Sequence, residues 1–168
     1  MLGHLTPSLL HYSFKNEKGE WSKPLPVPFN NDEYNVTHPF YDEKNKLLYF
    51  VSDMPGGLGG MDIYRANFDG KKFGDKELVR FVNTKGHDCF PLVFDNKLYF
   101  SSDANSIGGY DLFYMENFEV KSMGDKFNSK YDDLAIMFND KKSGFITSNR
   151  ANNGVTDDIY AFQLIDLF

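Results

Sequence analysis

One short pattern is written three times along the chain. LLYFVSD begins at Leu47, KLYFSSD at Lys97 and GFITSN at Gly144, and each is followed by a loop and then by MDIY, YDLF or DDIY. The serines that close the first pattern, Ser52, Ser102 and Ser148, lie 50 and 46 residues apart. The aspartates that open the second, Asp62, Asp111 and Asp158, lie 49 and 47 apart. A period of about 40–50 residues with several short strands per unit marks stacked β-architectures such as propellers. A unit of that size cannot bury its own apolar faces, so it must pack on a neighbour.

Each unit reads as four strands. Residues 36–41, 46–52, 61–68 and 72–80 make one unit, and 89–94, 97–102, 110–117 and 119–126 make the next. A third offers 134–139, 144–148 and 158–164. Upstream, 9–14 and 16–24 align with the last two strands of a preceding unit. The chain therefore divides into an extension (1–8), half a blade (9–29), two full blades (30–82 and 83–127) and a last blade (128–168) without its outer strand. The expected fold is all-β: a β-propeller-type array of four-stranded antiparallel blades, incomplete, with about three blades plus part of another. No helical period is sustained anywhere.

The second strand of the unit is the informative one. Leu48, Tyr49, Phe50 and Val51 are apolar without alternation. Successive side chains point to opposite faces, so both faces of this strand must be covered. Phe50, Phe100 and Ile146 are accordingly expected in the interior. The outer strand, KKFGDKELVR, is polar and faces water.

Composition removes several function classes. The net charge is −6, and no basic stripe suggests nucleic acid or an anionic membrane surface. No apolar run is long enough for a membrane helix. The N-terminus lacks the pattern of a signal peptide. A single cysteine, Cys89, excludes an internal disulfide and reads as a small buried residue.

The recurring polar residues are the site candidates. Asp53, Asp103 and Asn149 close the second strands; Asp62, Asp111 and Asp158 open the third. A device present in every unit is structural, with carboxylates accepting N–H groups of the intervening loop. A cation held by Asp53, Asp62 and loop carbonyls is the competing reading, although the spacing fits no calcium loop. The glycines of GGLGG lie between strands rather than before a helix, which argues against a phosphate site; positive φ is their expected reason. His38 and His87 read as equivalent turn histidines, with Pro39 and Pro91 marking strand starts. Arg150 is a candidate surface contact for a carboxylate, or pairs with Asp157 or Asp158 in its own loop. Asn35-Val36-Thr37 matches a glycosylation sequon in pattern. No catalytic, cofactor-binding or metal constellation is recognisable.

The strings LYFVSDMPGGLGGMDIY, FPLVFDNKLYFSSD and TSNR with DDIYAF resemble the WD-repeat-like, TolB-like β-propeller family. More narrowly, they resemble the propeller of periplasmic OmpA-family lipoproteins associated with type IX secretion. The likeness runs from about Leu9 to Phe162. It implies an outer-membrane-associated periplasmic scaffold that meets envelope or secretion-system proteins. It supplies no catalytic residues, and peptidoglycan binding would reside in a domain outside this sequence. The missing glycine pair in the third loop, Gly154-Val155-Thr156, departs from the pattern. The expected function is a non-enzymatic interaction module. A carbohydrate-binding or carbohydrate-active propeller is the alternative, suggested by 17 Phe, 10 Tyr and 1 Trp.

Overall fold

The computed structural model of the chain describes residues 6–165, which leaves His4 outside the described part. The described residues form 13 strands in four antiparallel sheets, with no α-helix. A hairpin of β1 (His11–Tyr12) and β2 (Leu25–Pro26) comes first. A first meander follows: β3 (Val36–Asp42), β4 (Leu47–Ser52), β5 (Asp62–Phe68) and β6 (Phe73–Leu78). The second meander is β7 (Asp88–Phe94), β8 (Lys97–Ser102), β9 (Asp111–Glu116) and β10 (Glu119–Ser122). The last sheet is β11 (Asp133–Phe138), β12 (Ser143–Ser148) and β13 (Asp158–Gln163). Strands pair in chain order within each sheet.

The inner three strands of each unit lie within one residue of the sequence expectation, because their apolar runs fix them. The outer strands are shorter than expected, having only a polar pattern to set their ends. The expected strand at 16–24 is a correction. The Asn16 side chain accepts N–H bonds from Lys18 and Glu20 and makes this segment a turn, so the partner strand falls at Leu25–Pro26.

Three cores lie between successive sheets. Val27 and Phe29 meet Phe50 and Tyr64 in the first. Tyr49, Val51 and Ile63 meet Cys89, Leu98 and Phe100 in the second. Tyr99 and Leu112 meet Ile136 and Ile146 in the third. β4 thus sends alternate side chains into two different cores, as its unbroken apolar run requires. Phe50, Phe100 and Ile146 are 0%, 1% and 5% exposed. β12 differs: Ile146 faces the third core while Phe145 points outward.

The first strand of both meanders is bulged, with register shifts between Thr37 and Phe40 and between Cys89 and Leu92. His38 (φ 44°) and Phe90 (φ 52°) are the bulged residues, and their rings stack 3.9 Å apart between the sheets. His38 therefore corresponds to Phe90, not to His87. Pro39 and Pro91 follow the bulge inside their strands, where no ladder N–H is required, rather than opening them.

The glycine loops allow close approach between sheets. In GGLGG only Gly56 has positive φ, at 98°. A Cβ on Gly59 would stand 2.2 Å from the Gly86 carbonyl oxygen, and one on Gly108 2.2 Å from that of Lys130. Both obstacles are backbone of the next unit. Gly59→Ala is expected to part the two meanders locally and lower stability by about 1–3 kcal/mol. Urea unfolding checks this, with Gly56→Ala as the comparison for pure φ strain.

Candidate functional site

The recurring polar residues converge on the joints between sheets. Each joint is a relay of the same bonds, and it starts with an amide absent from the sequence expectation. Asn30, Asn83 and Asn128 each bond both backbone groups of one residue near the start of the preceding unit's third strand. The partners are Leu10 (3.1 and 2.7 Å), Ile63 (2.6 and 2.8 Å) and Leu112 (2.8 and 3.0 Å). The side chain mimics a strand where no strand pairs.

The relay continues through the backbone. The N–H groups of Val36, Asp88 and Asp133 donate to the carbonyls of Ser8, Met61 and Tyr110, each at 2.7 Å. In return, the N–H groups of Ser8, Met61 and Tyr110 donate to the side chains of Asn35 (2.9 Å), His87 (3.1 Å) and Asp132 (2.9 Å). Asn, His and Asp thus do one job. His87 does it through Nδ1, which places its proton on Nε2. Asn35, the sequon asparagine, is held here.

The strand-closing residues complete the relay. Asp53, Asp103 and Asn149 accept the N–H groups of Asn35 (2.6 Å), His87 (2.7 Å) and Asp132 (2.9 Å). They tie the start of the first strand to the end of the second, not the loop that follows, which corrects the expected direction of this staple. The hydroxyls of Ser52, Ser102 and Ser148 accept the N–H two residues on, at 3.1, 3.3 and 3.3 Å.

Two of the strand-opening aspartates accept N–H groups of the loop before them. Asp62 Oδ2 accepts the N–H groups of Leu58 (2.9 Å) and Gly59 (3.1 Å), and Asp111 Oδ2 that of Ile107 (2.9 Å). Both residues are buried, whereas Asp158 is exposed. The third unit carries Val155-Thr156 in place of the glycine pair. Asp62→Ala is expected to cost about 1–3 kcal/mol, the scale of orphaning bonded N–H groups. Hydrogen exchange at Leu58 and Gly59 checks that the loss is local.

Two further buried acids open the first strands. Asp88 and Asp133 are fully buried, each pairing across the sheet with Ser102 or Ser148. The same position in the first meander is Val36, opposite Ser52. Asp88 Oδ2 accepts the Thr84 N–H (2.6 Å) and hydroxyl (2.9 Å), and Asp133 Oδ2 the Ser129 N–H (2.6 Å). Burial raises the carboxyl pKa of Asp88, partly offset by Ser102 and Thr84. Asp111 is raised for the same reason, offset by Ile107.

The native protein therefore binds these protons more tightly than the unfolded chain. Their ionisation costs stability at neutral pH, and that cost is lost as pH falls through the raised values. The stability of Asp88→Val relative to the parent is expected to fall steadily between neutral pH and about pH 4, read as urea midpoints.

Arg150 belongs to the joint and is not a free surface contact. Its guanidinium bonds the Asp133 carboxylate and the Phe127 carbonyl, its Nε bonds the Ser148 hydroxyl at 3.0 Å, and its face covers Tyr160. The ion pair is with Asp133, not with Asp157 or Asp158: Asp133 pairs across the sheet with Ser148, two residues before Arg150. Among the described residues no group of three or more His, Cys, Asp or Glu could hold a metal. Asp53 is engaged with Asn35 through both oxygens. Burial pushes the Cys89 thiol up to about 12, which leaves it protonated and a poor nucleophile. His38 Nδ1 is buried without a bond, so it is not the satisfied turn histidine expected. Neither a protein-family model nor a curated protein matches the chain.

Proposed function

We propose that this chain is an array of propeller-type blades that works as a non-enzymatic interaction module, a scaffold of a cell-envelope protein. The observation that carries the reading is the outer face of the last sheet. Met137, Phe145 and Ile159 surround a shallow apolar depression of about 380 Å³ with Ala135 and Thr147. Ile159 is 75% exposed. Register places Phe145 where Tyr49 and Tyr99 stand in the other units, and Ile159 where Ile63 and Leu112 stand. Those four residues are buried by the next sheet. The outer face thus has the chemistry of a surface made to be covered by another β-sheet. The joints consume the recurring polar groups, which favours docking over catalysis. The periplasmic, outer-membrane-associated setting and secretion-system partners rest on the family resemblance alone.

The test is capture from an envelope fraction by the chain and by Phe145→Glu/Ile159→Lys. Recovery of the same envelope components by the parent only, and competition by added free chain, support the reading. Equal capture by both, or none by either, overturns it.

A carbohydrate-binding role is the second reading. Phe81 and Phe118 are exposed, and their rings meet edge-on at 5.9 Å. Both hold positive φ, 72° and 65°, an outlier for bulky residues. Glycan-array binding that is lost in Phe118→Gly would favour it.

A further inference from the structure

The three joints differ at one point, and the difference leaves one buried carboxylate without the cation that its counterpart has. In the first joint the facing pair is Val36 and, two residues after Ser52, the buried Met54: two apolar groups. In the third it is Asp133 and Arg150, two residues after Ser148: an anion and a cation. In the second it is Asp88 and Ala104, two residues after Ser102. That joint has the anion and no cation. Asp88 is 0% exposed, Thr84 occupies its Oδ2, and its Oδ1 is buried beside the Ser102 hydroxyl with no donor in good hydrogen-bond geometry among the described residues. The corresponding atom of Asp133 is the one that Arg150 holds.

The lining is conserved between the two joints in kind. Asn83 matches Asn128 through its bonds to the preceding strand, so the Val82 carbonyl takes the place of the Phe127 carbonyl that Arg150 bonds. Arg150 reaches its carboxylate from the surface, with its side chain 27% exposed while that of Asp133 is 0%. Alanine at 104 deletes that side chain and keeps its acceptors. An unpaired carboxylate buried this deeply is costly, whereas the filled and the fully apolar versions of the same joint are each self-consistent.

We propose that the Asp88 slot binds a guanidinium group, the head of an arginine presented by another chain. The slot supplies what Arg150 meets at the third joint: one carboxylate oxygen, one carbonyl and a serine hydroxyl. A planar cation with several donors satisfies these together, which a spherical ion does not. The inference rests on the interaction reading for the source of the arginine, and it adds the chemistry of one contact. The slot itself is testable without any partner.

The experiment is a thermal-melt titration of the whole chain with methylguanidinium chloride, against sodium chloride at equal concentration and neutral pH. A saturating rise of several degrees is expected in the parent. It is expected to vanish in Ala104→Arg, whose own melting temperature starts higher because the chain now fills the slot. It should vanish also in Asp88→Val, which copies the first joint. Arg150→Ala should gain a second saturable response. No rise in the parent overturns the proposal, as does a rise that persists in Ala104→Arg. A rise with calcium chloride but not with methylguanidinium would assign the slot to a metal ion and overturn it equally. If Asp88→Val does not fold, Ala104→Arg decides alone. Failure of this titration leaves capture through the Phe145 face intact, so the two readings are separable.

Discussion

Phe100→Ala is expected to lower the unfolding free energy by roughly 3–5 kcal/mol, the cost of a cavity in a core that cannot collapse. Phe100 is 1% exposed, and its ring lies 5.9 Å from that of Phe113. It stands on β8 facing Val51, Ile63 and Val82 across the joint. The sheets are stiffened by their own ladders and tied by the joint bonds, so neither can move in to fill the gap. Urea unfolding measures the loss. A change under about 1 kcal/mol would mean that the second core does not couple the two meanders.

Arg150→Ala is expected to cost about 3 kcal/mol at neutral pH, because it strands the Asp133 carboxylate in a site with no water contact. The same substitution removes the bond to the Phe127 carbonyl and the cover over Tyr160. The double change Asp133→Val/Arg150→Met should recover most of the loss, since Val36 and Met54 fill those two positions in the first joint. The coupling between the two positions, read by a double-mutant cycle, is then large. Simple addition of the two single effects would show that Arg150 acts through something other than Asp133.

Sequence periodicity located the strands well because both signals were local. The apolar runs of β4 and β8 fixed their own positions, and the Asp-Asn turn at 95–96, with φ of 48° and 63°, fixed the hairpin between β7 and β8. The hairpin β1–β2 was misplaced because the turn at Asn16 rests on one side chain bonding two N–H groups, which pattern alone does not reveal. The joints were half legible. Asp62, Asp111, Asp53 and Asp103 recur at nearly constant offsets and were found that way. Asn30, Asn83 and Asn128 recur as well, five or six residues ahead of β3, β7 and β11, but a single amide in a linker carries no pattern that marks it. His87 hid its role because Asn35 and Asp132 share its function and not its residue type. Asp88 and Asp133 were overlooked for a related reason: the first unit has valine there, which broke the apparent repeat. Arg150 was given a local partner, since sequence distance says nothing of a carboxylate on the far strand of the same sheet.

The joint relay has a consequence for how this chain can change length. The bonds of Asn83, His87 and Asp88 that seat residues 83–127 on the first meander have counterparts in the bonds of Asn128, Asp132 and Asp133 that seat the last sheet on residues 83–127. A tandem copy of this segment inserted after residue 127 would meet its twin with His87 on Tyr110, Asn83 on Leu112 and Gly108 open to the approaching backbone. Duplication in frame would then lengthen the protein by one sheet without any new side-chain chemistry. The same insertion after the last sheet would not seat alike, because Val155 and Thr156 carry side chains where Gly59-Gly60 and Gly108-Gly109 have none. Growth by copying is open in the middle of the chain and closed at that loop.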